Sequence, residues 1–217
     1  HEHYRDLSGS VGWGAQDNRY RSNALRFAFP LSARAGRCAS VTLAPGVDRE
    51  WYRPEHRRQK TIPLSCDREK YSVMLESALR LFEERLILTS SLSRERSYSS
   101  FEGQPSPQNR VTPKPRRIFL TNAGTGVKIS LVKHTSFFAN YSDAGRTPSF
   151  YELFGDRGTT FSNPQLKQER TYRSDAGLRF DGAGGPIAFF FEGAYFHSKN
   201  RNLIQWYAND AGFLFPD

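Results

Sequence analysis

Across residues 172–180 the chain alternates without a break: Tyr172, Ser174, Ala176, Leu178 and Phe180 fall on one side of an extended backbone, and Arg173, Asp175, Gly177 and Arg179 on the other. A period of two commits the segment to a β-strand with one largely apolar and one polar face. The turn Asp181-Gly182-Ala183-Gly184-Gly185-Pro186 follows, and after it the aromatic run 187–196, so the two strands read as a hairpin. The same unit stands upstream. Residues 71–80 place Val73, Leu75, Ser77 and Leu79 on one face, residues 85–93 place Leu86, Leu88 and Leu92 on one face, and only residues 81–84 lie between. Residues 71–88 also contain good helix formers, but the period-2 pattern and the Thr89-Ser90-Ser91 run that follows argue against an amphipathic helix.

Further strands are predicted at residues 20–29, 39–51, 117–130 and 135–141, with Phe138 an apolar residue on the polar face of the last. The connections fall into two classes: short ones, and long, polar, basic ones at residues 53–70, 98–114 and 143–168. Short turns at one end and long loops at the other are the pattern of an outer-membrane barrel, whereas a soluble sandwich mixes loop lengths. At about 25 residues per crossing, the 217 residues hold about eight or nine strands. No internal repeat, low-complexity tract or composition break marks a second domain.

Composition narrows the class. No window reaches the roughly 18 consecutive apolar residues of a membrane-spanning helix, although alternating strands cross a membrane without such a window. Aromatic residues make up 14% of the chain, with 17 Phe and 10 Tyr, which suits strands and interfacial girdles. The formal charge of +9 comes with no recognisable nucleic-acid-binding motif; it reads as solvated loops, or as loops that meet lipopolysaccharide or an anionic ligand. Cys38 and Cys66 belong to no CxxC pair or metal cluster, and both a disulfide and two separate thiols stay open. The opening His1-Glu2-His3-Tyr4 lacks the basic start and apolar core of a signal peptide, which points to a processed or truncated end. His1, His3, His56, His134 and His197 are scattered, without HExxH spacing, and no GxSxG elbow or P-loop appears. Gly124-Thr125-Gly126 reads as strand glycine, and no enzyme is expected.

The stretch from Phe137 to Gly155, FFANYSDAGRTPSFYELFG, closely resembles a segment of TonB-dependent receptors, in which a strand runs into a loop beginning Arg-Ala-Pro-Ser and followed by Glu-Leu. Arg146, Pro148, Ser149, Glu152 and Leu153 keep that pattern. It continues into Asn163-Pro164-Gln165-Leu166-Lys167-Gln168-Glu169, similar to the family's Asn-Pro-x-Leu-Lys-Pro-Glu, with Gln168 where Pro is usual. Residues 191–207 resemble the family's strand ending Asp-Leu-Ile, and the 71–93 hairpin resembles another of its hairpins.

The resemblance implies an all-β fold, an antiparallel transmembrane β-barrel in the outer membrane of a Gram-negative cell. The whole of residues 1–217 is expected to be barrel, an interior segment of the family's 22-stranded transporters, without their plug domain or TonB box. The implied function is energised uptake of a scarce nutrient such as an iron–siderophore or a cobalamin. Expected partners are outer-membrane lipid and lipopolysaccharide, a small-molecule chelate, and the TonB complex only through the plug. No cofactor and no nucleic acid are expected. A self-contained small barrel with a structural or adhesive role is the alternative; it requires the first and last strands to pair.

Among the motif residues, Arg146, Glu152 and Glu169 are read as ion pairs at the barrel rim or wall, and Pro148 and Pro164 as shaping strand ends, with Ser149, Leu153, Asn163 and Leu166 structural beside them. Trp51, Tyr52, His56, Arg57, Arg58 and Trp206 are the candidate ligand contacts, since aromatics and arginine suit chelates and anions; ordinary interfacial aromatics are the competing reading.

Overall fold

The computed structural model describes residues 2–6, 16–56, 64–102, 114–155, 160–184, 187–208 and 214–217. Its strands are β1 (Glu2–Asp6), β2 (Gln16–Ala28), β3 (Leu31–Ala35), β4 (Ala39–His56), β5 (Ser65–Leu81), β6 (Leu86–Glu102), β7 (Arg116–Val132), β8 (Thr135–Arg146), β9 (Glu169–Gly184), β10 (Ile187–Arg201), β11 (Trp206–Ala208) and β12 (Leu214–Pro216), with one helix, α1 (Phe150–Phe154), between β8 and β9. Each predicted strand is present, but most run further than the alternation shows. Most of the extra residues lie toward the long-loop end, where period 2 leaves no mark yet the backbone still pairs; at the short-turn end residues 181–184, read from sequence as part of a turn, instead continue β9 and pair with residues 187–190 of β10.

The main sheet follows the order β1-β2-β4-β5-β6-β7-β8-β9-β10, and every neighbouring pair is antiparallel. β3 continues the crossing begun by β2 along the same neighbour: Ala28 faces Gly46 on β4 and, after the break at Phe29-Pro30, Leu31 faces Leu43. Proline has no N–H to give the ladder, so the crossing bends there. The path holds nine strands, of which β1 is a five-residue segment paired only with Gln16–Tyr20, and β1 and β10 are its two ends. The closure between first and last strands that a self-contained barrel requires is absent among the described residues.

Short turns gather at one end of the sheet. Gly36 (φ 58°) opens the β3–β4 turn, Phe82, Glu83 and Glu84 take φ of 54°, 59° and 65° between β5 and β6, and His134 takes φ 69° between β7 and β8. Turns this tight require left-handed backbone, which matches the twist of the strands they join.

Cross-strand register assigns the two faces. Leu43, Leu75 and Leu92 lie in one row, and Leu81, Leu86, Ile129, Phe137 and Leu178 in another, all on the outward face. Leu75, Leu92, Leu178 and Phe191 are 43%, 50%, 51% and 68% exposed. A continuous field of such side chains is unfavourable in water and favourable in lipid. The outward run from Tyr71 to Leu81 extends about 33 Å along β5, or about 25 Å along the membrane normal at a barrel's usual tilt, the height of a barrel's apolar band. One outward row carries hydroxyls, and these are satisfied within the sheet: the Ser77 and Ser90 hydroxyls bond at 2.8 Å, and Thr125 donates to the Thr89 carbonyl at 3.2 Å.

The other face is small and polar over its middle strands and carries Phe138, Phe190 and Phe196 toward β8 and β10. Thr42, Glu76, Thr89, Ser91, Gly124 and Asn140 line a groove of about 460 Å³. A Cβ on Gly126 would strike the side chains of Asn140 and Thr89, so the wall is closest there.

The two cysteines lie at opposite ends of the sheet. Cys38 is in the β3–β4 turn, where its carbonyl accepts from the Arg80 amide, and Cys66 pairs with Tyr52 near the start of β5. Most of β5 separates them, on the order of 45 Å at the rise of an extended strand. A disulfide tolerates Cα atoms no more than about 7 Å apart, so the bridge left open by the sequence does not form.

Leu75 and Glu76 are neighbours on opposite faces. Leu75→Arg is expected to destabilise the complete chain in phospholipid vesicles by about 2–4 kcal/mol. Glu76→Arg, facing the polar groove, is expected to change stability by less than about 1 kcal/mol. Urea titration followed by tryptophan fluorescence measures both, and equal losses would mean that the faces are reversed.

Candidate functional site at the long-loop rim

Residues 147–155 and 160–168 do not run free; they fold back over the polar face at the long-loop end. Ser149 (φ −68°, ψ 161°) caps α1, its hydroxyl accepting from the Glu152 amide at 3.2 Å, while the Glu152 carboxylate accepts from the Ser149 amide at 2.7 Å. This reciprocal pair closes a capping box. Gly155 ends the helix at φ 64°, where a Cβ would run into the Thr160 carbonyl. A five-residue helix is not stable alone, so packing must hold it.

That packing is aromatic. Phe150 and Phe154, one helical turn apart, are 1% and 2% exposed and sit with Tyr52, Leu64, Cys66, Leu153, Leu166 and Ile204 in one buried cluster, with Phe101 against it. Phe101 meets Phe154 edge-on at 5.0 Å between centroids, and Tyr52 stacks on Phe150 at 6.2 Å. Burying two phenylalanines is worth about 1.5–3 kcal/mol each, which offsets part of the entropy cost of ordering the five-residue helix.

Polar groups lock the same unit. The Arg68 side chain, 3% exposed, lies 4.3 Å over the Phe150 ring. It donates to Ser99 Oγ at 3.1 Å, to the Pro148 carbonyl at 2.8 Å and to Glu50 at 3.4 Å. Tyr52 donates its hydroxyl to the Gly155 carbonyl at 2.6 Å. Arg146, the last residue of β8, grips both oxygens of Glu152 at 2.9 and 3.0 Å and reaches Glu169 at 2.7 Å, tying the start of the loop to its end. Burial pushes the Glu152 carboxyl up, but its bonds from Arg146 and Ser149 outweigh that and hold it below the usual carboxylate range.

The Asn163-Pro164 motif forms the return. Asn163 Oδ1 accepts from the Gln165 amide at 3.1 Å, and its Nδ2 donates to the Pro216 carbonyl at 3.1 Å. Arg116 donates to the carbonyls of Pro164 and Leu166. Gln205 and Asp217 exchange backbone bonds at 2.9 Å, closing the small β11–β12 sheet beside this turn.

The six loop candidates separate. Tyr52 is 3% exposed and given over to packing, so it serves α1 and leaves no face for a ligand. Trp51 points to the opposite side of β4, outward, beneath the Arg49 guanidinium at 5.2 Å. His56 ends β4 opposite Asn18, and Arg57 and Arg58 lie outside the described residues. Trp206 is 38% exposed and meets Tyr151, 37% exposed, with ring centroids 5.7 Å apart, beside exposed Leu203 and Tyr207. The Tyr151 hydroxyl is fixed by Thr160 at 2.8 Å. Among the described residues this pair is an accessible aromatic feature of the rim. Sequence reasoning passed over Tyr151, Arg68, Phe150 and Phe154; the Ser149-x-x-Glu152 capping signature followed by phenylalanines at i and i+4 is the signal that would have found the helix.

Because the Glu152 pKa is depressed on folding, its stabilisation is complete above the unfolded value of about 4.3 and is lost as pH falls through the folded value. The protection factors of the Leu153 and Gly155 amides, which bond the Ser149 and Tyr151 carbonyls, should therefore fall on acidification below that range once exchange is corrected for its intrinsic pH dependence. Glu152→Gln keeps the capping geometry and is expected to abolish the pH step. Glu152→Ala is expected to cost about 1 kcal/mol at neutral pH. A step that persists in Glu152→Gln would place the titrating group elsewhere.

Comparison with known proteins matches this geometry. The profile of the family described as TonB dependent receptor-like, beta-barrel matches residues 3–216. No curated protein matches the sequence. Among solved structures, the copper transporter OprC superposes with a TM-score of 0.76 at 15% identity, over 93% of this chain and 33% of that one. The FrpB iron transporter from Neisseria meningitidis (F3-3 variant) gives 0.60 at 16% identity, over 94% of this chain and 31% of that one. A double mutant of the Serratia marcescens hemophore receptor HasR, in complex with its hemophore HasA and heme, gives 0.59 at 14% identity, over 89% and 35%. The chain thus spans about one third of the length of the structures it resembles.

Proposed function

The chain belongs to the TonB-dependent receptor-like β-barrel family, and on that premise we propose that residues 1–217 form part of the barrel wall and rim of an outer-membrane uptake receptor of a Gram-negative cell. The observation that carries this reading is the division of one nine-stranded sheet into an outward face of exposed apolar side chains and a lumen face whose middle strands present hydroxyls, amides and ions. In this reading the short turns face the periplasm, and the long connections face the outside and receive the ligand.

The ligand class is a small-molecule nutrient complex, taken up under the action of the TonB complex on the receptor's plug. The named neighbours are a copper transporter, an iron transporter and a heme-bound hemophore receptor. The Tyr151–Trp206 pair favours a ligand with an aromatic or otherwise apolar face, such as an iron–siderophore or heme. Tyr52 and the Arg146–Glu152–Glu169 cluster shape the mouth and do not contact the ligand.

The complete receptor, expressed in a strain stripped of its own uptake receptors, is expected to restore TonB-dependent accumulation of one of four labelled probes: a ferric catecholate, a ferric hydroxamate, heme or copper. Trp206→Ala is expected to weaken binding of that probe about tenfold, while Trp51→Ala, on the outward face, leaves it unchanged. Accumulation of none of the four would sink the transport reading.

A further inference from the structure

The lumen face changes character from one side of the sheet to the other. Across β4 to β7 its middle row reads Thr42, Glu76, Ser91 and Gly124, and it lines the groove of about 460 Å³. A Cβ at Gly124 would stand 2.7 Å from the Ser91 hydroxyl, so the wall there is flush. Glu76 is the one charged group of this row, and among the described residues it is in salt-bridge range of no cation. Fixed charge returns two rows nearer the short turns, at Arg80 and Lys128.

On β8 to β10 the same row continues as Ser142, Arg173 and Ser198, and bare rings stand on its short-turn side. Phe196 is 77% exposed and Phe190 59% exposed, with the Arg179 guanidinium 4.7 Å from the Phe190 ring. Pairing β10 with a further strand would satisfy its backbone edge and leave these lumen-facing rings uncovered. Rings on a wet face call for an apolar cover, and the lumen of a 22-stranded transporter holds a plug.

We propose that the plug seats on β8–β10 over Phe190 and Phe196 and stands off the wall at β4–β7, so that the ligand passes along the row of Thr42, Glu76, Ser91 and Gly124. Short hydroxyl and glycine positions leave room for a solute. They also replace part of its hydration without holding it, and a path must bind weakly enough to release what it carries. The β8–β10 side is unsuited to passage, because an arginine fork grips an anion and exposed rings grip an apolar face.

The proposal rests on the receptor reading above. In the complete receptor carrying Cys38→Ser, the single substitutions Thr42→Cys, Ser91→Cys, Ala194→Cys and Ser198→Cys are reacted with a small charged methanethiosulfonate, and the reaction of the Cys38→Ser parent is subtracted. Ala194 and Ser198 flank Phe196 on the lumen face, so the rings stay in place. Thiols at positions 42 and 91 are expected to react more than about tenfold faster than those at 194 and 198, and all four alike in urea. Equal rates in the folded receptor, or faster reaction at 194 and 198, overturn the proposal. Ser91→Trp, in its folded, heat-modifiable form, is expected to bind the accumulated probe normally and to accumulate it more than about tenfold more slowly, while the outward-facing Leu92→Trp matches the wild type. Accumulation by Ser91→Trp at the wild-type rate overturns the route alone, and the labelling pattern decides where that variant does not fold. A wild type that accumulates none of the four probes overturns the receptor reading and the route with it.

Discussion

Backbone hydrogen bonding in a medium without water governs this structure. Lipid offers no partner to an exposed N–H or C=O, so a strand that crosses it must be paired along its whole length. The antiparallel ladders that join β2 to β10 meet that demand in the interior of the sheet, and much else follows. Pro30, which cannot donate, falls at the break between β2 and β3. The outward hydroxyls of Ser77, Ser90 and Thr125 bond one another or the backbone beside them. The short turns accept left-handed residues, among them bulky Phe82, because a longer loop at that end is not needed to join adjacent strands.

At the other end water is present and the constraint changes. There residues 147–155 and 160–168 fold over the lumen face, and their own polar groups must be satisfied by side chains. Arg68 and Arg116 do this from the wall, each donating to loop carbonyls, and Arg146 closes the loop on itself through Glu152 and Glu169. Phe150 and Phe154 supply the apolar burial that makes the fold-back favourable. The consequence for function is positional, since anchoring α1 brings Tyr151 to the mouth beside Trp206.

The charge of the chain is distributed by the same two media. Many of the 31 basic residues that read as solvated loops lie in strands, beyond the apolar band or on the lumen face. Inside the mouth they are matched to carboxylates and carbonyls. On the outward face, Arg96 and Arg117 lie over the rings of Phe119 and Tyr98.

Period-2 alternation, the turn residues and the Arg-x-Pro-Ser-x-x-Glu-Leu and Asn-Pro-x-Leu motifs were enough to read an antiparallel membrane barrel segment, its crossing number and its two kinds of connection, because each of these is a local property of the chain. They were enough, too, to mark Arg146, Glu152 and Glu169 as partners. Strand ends beyond the apolar band were not legible, since pairing there leaves no alternation. Nor was the fate of neighbouring aromatics: Tyr52 is buried and Trp51 turned outward because adjacent residues of a strand face opposite sides, and which side is covered depends on a helix about a hundred residues away. The separation of Cys38 from Cys66, the docking of α1 and the meeting of Tyr151 with Trp206 were decided only when register and loop packing brought distant segments together, a long-range outcome that no local pattern encodes.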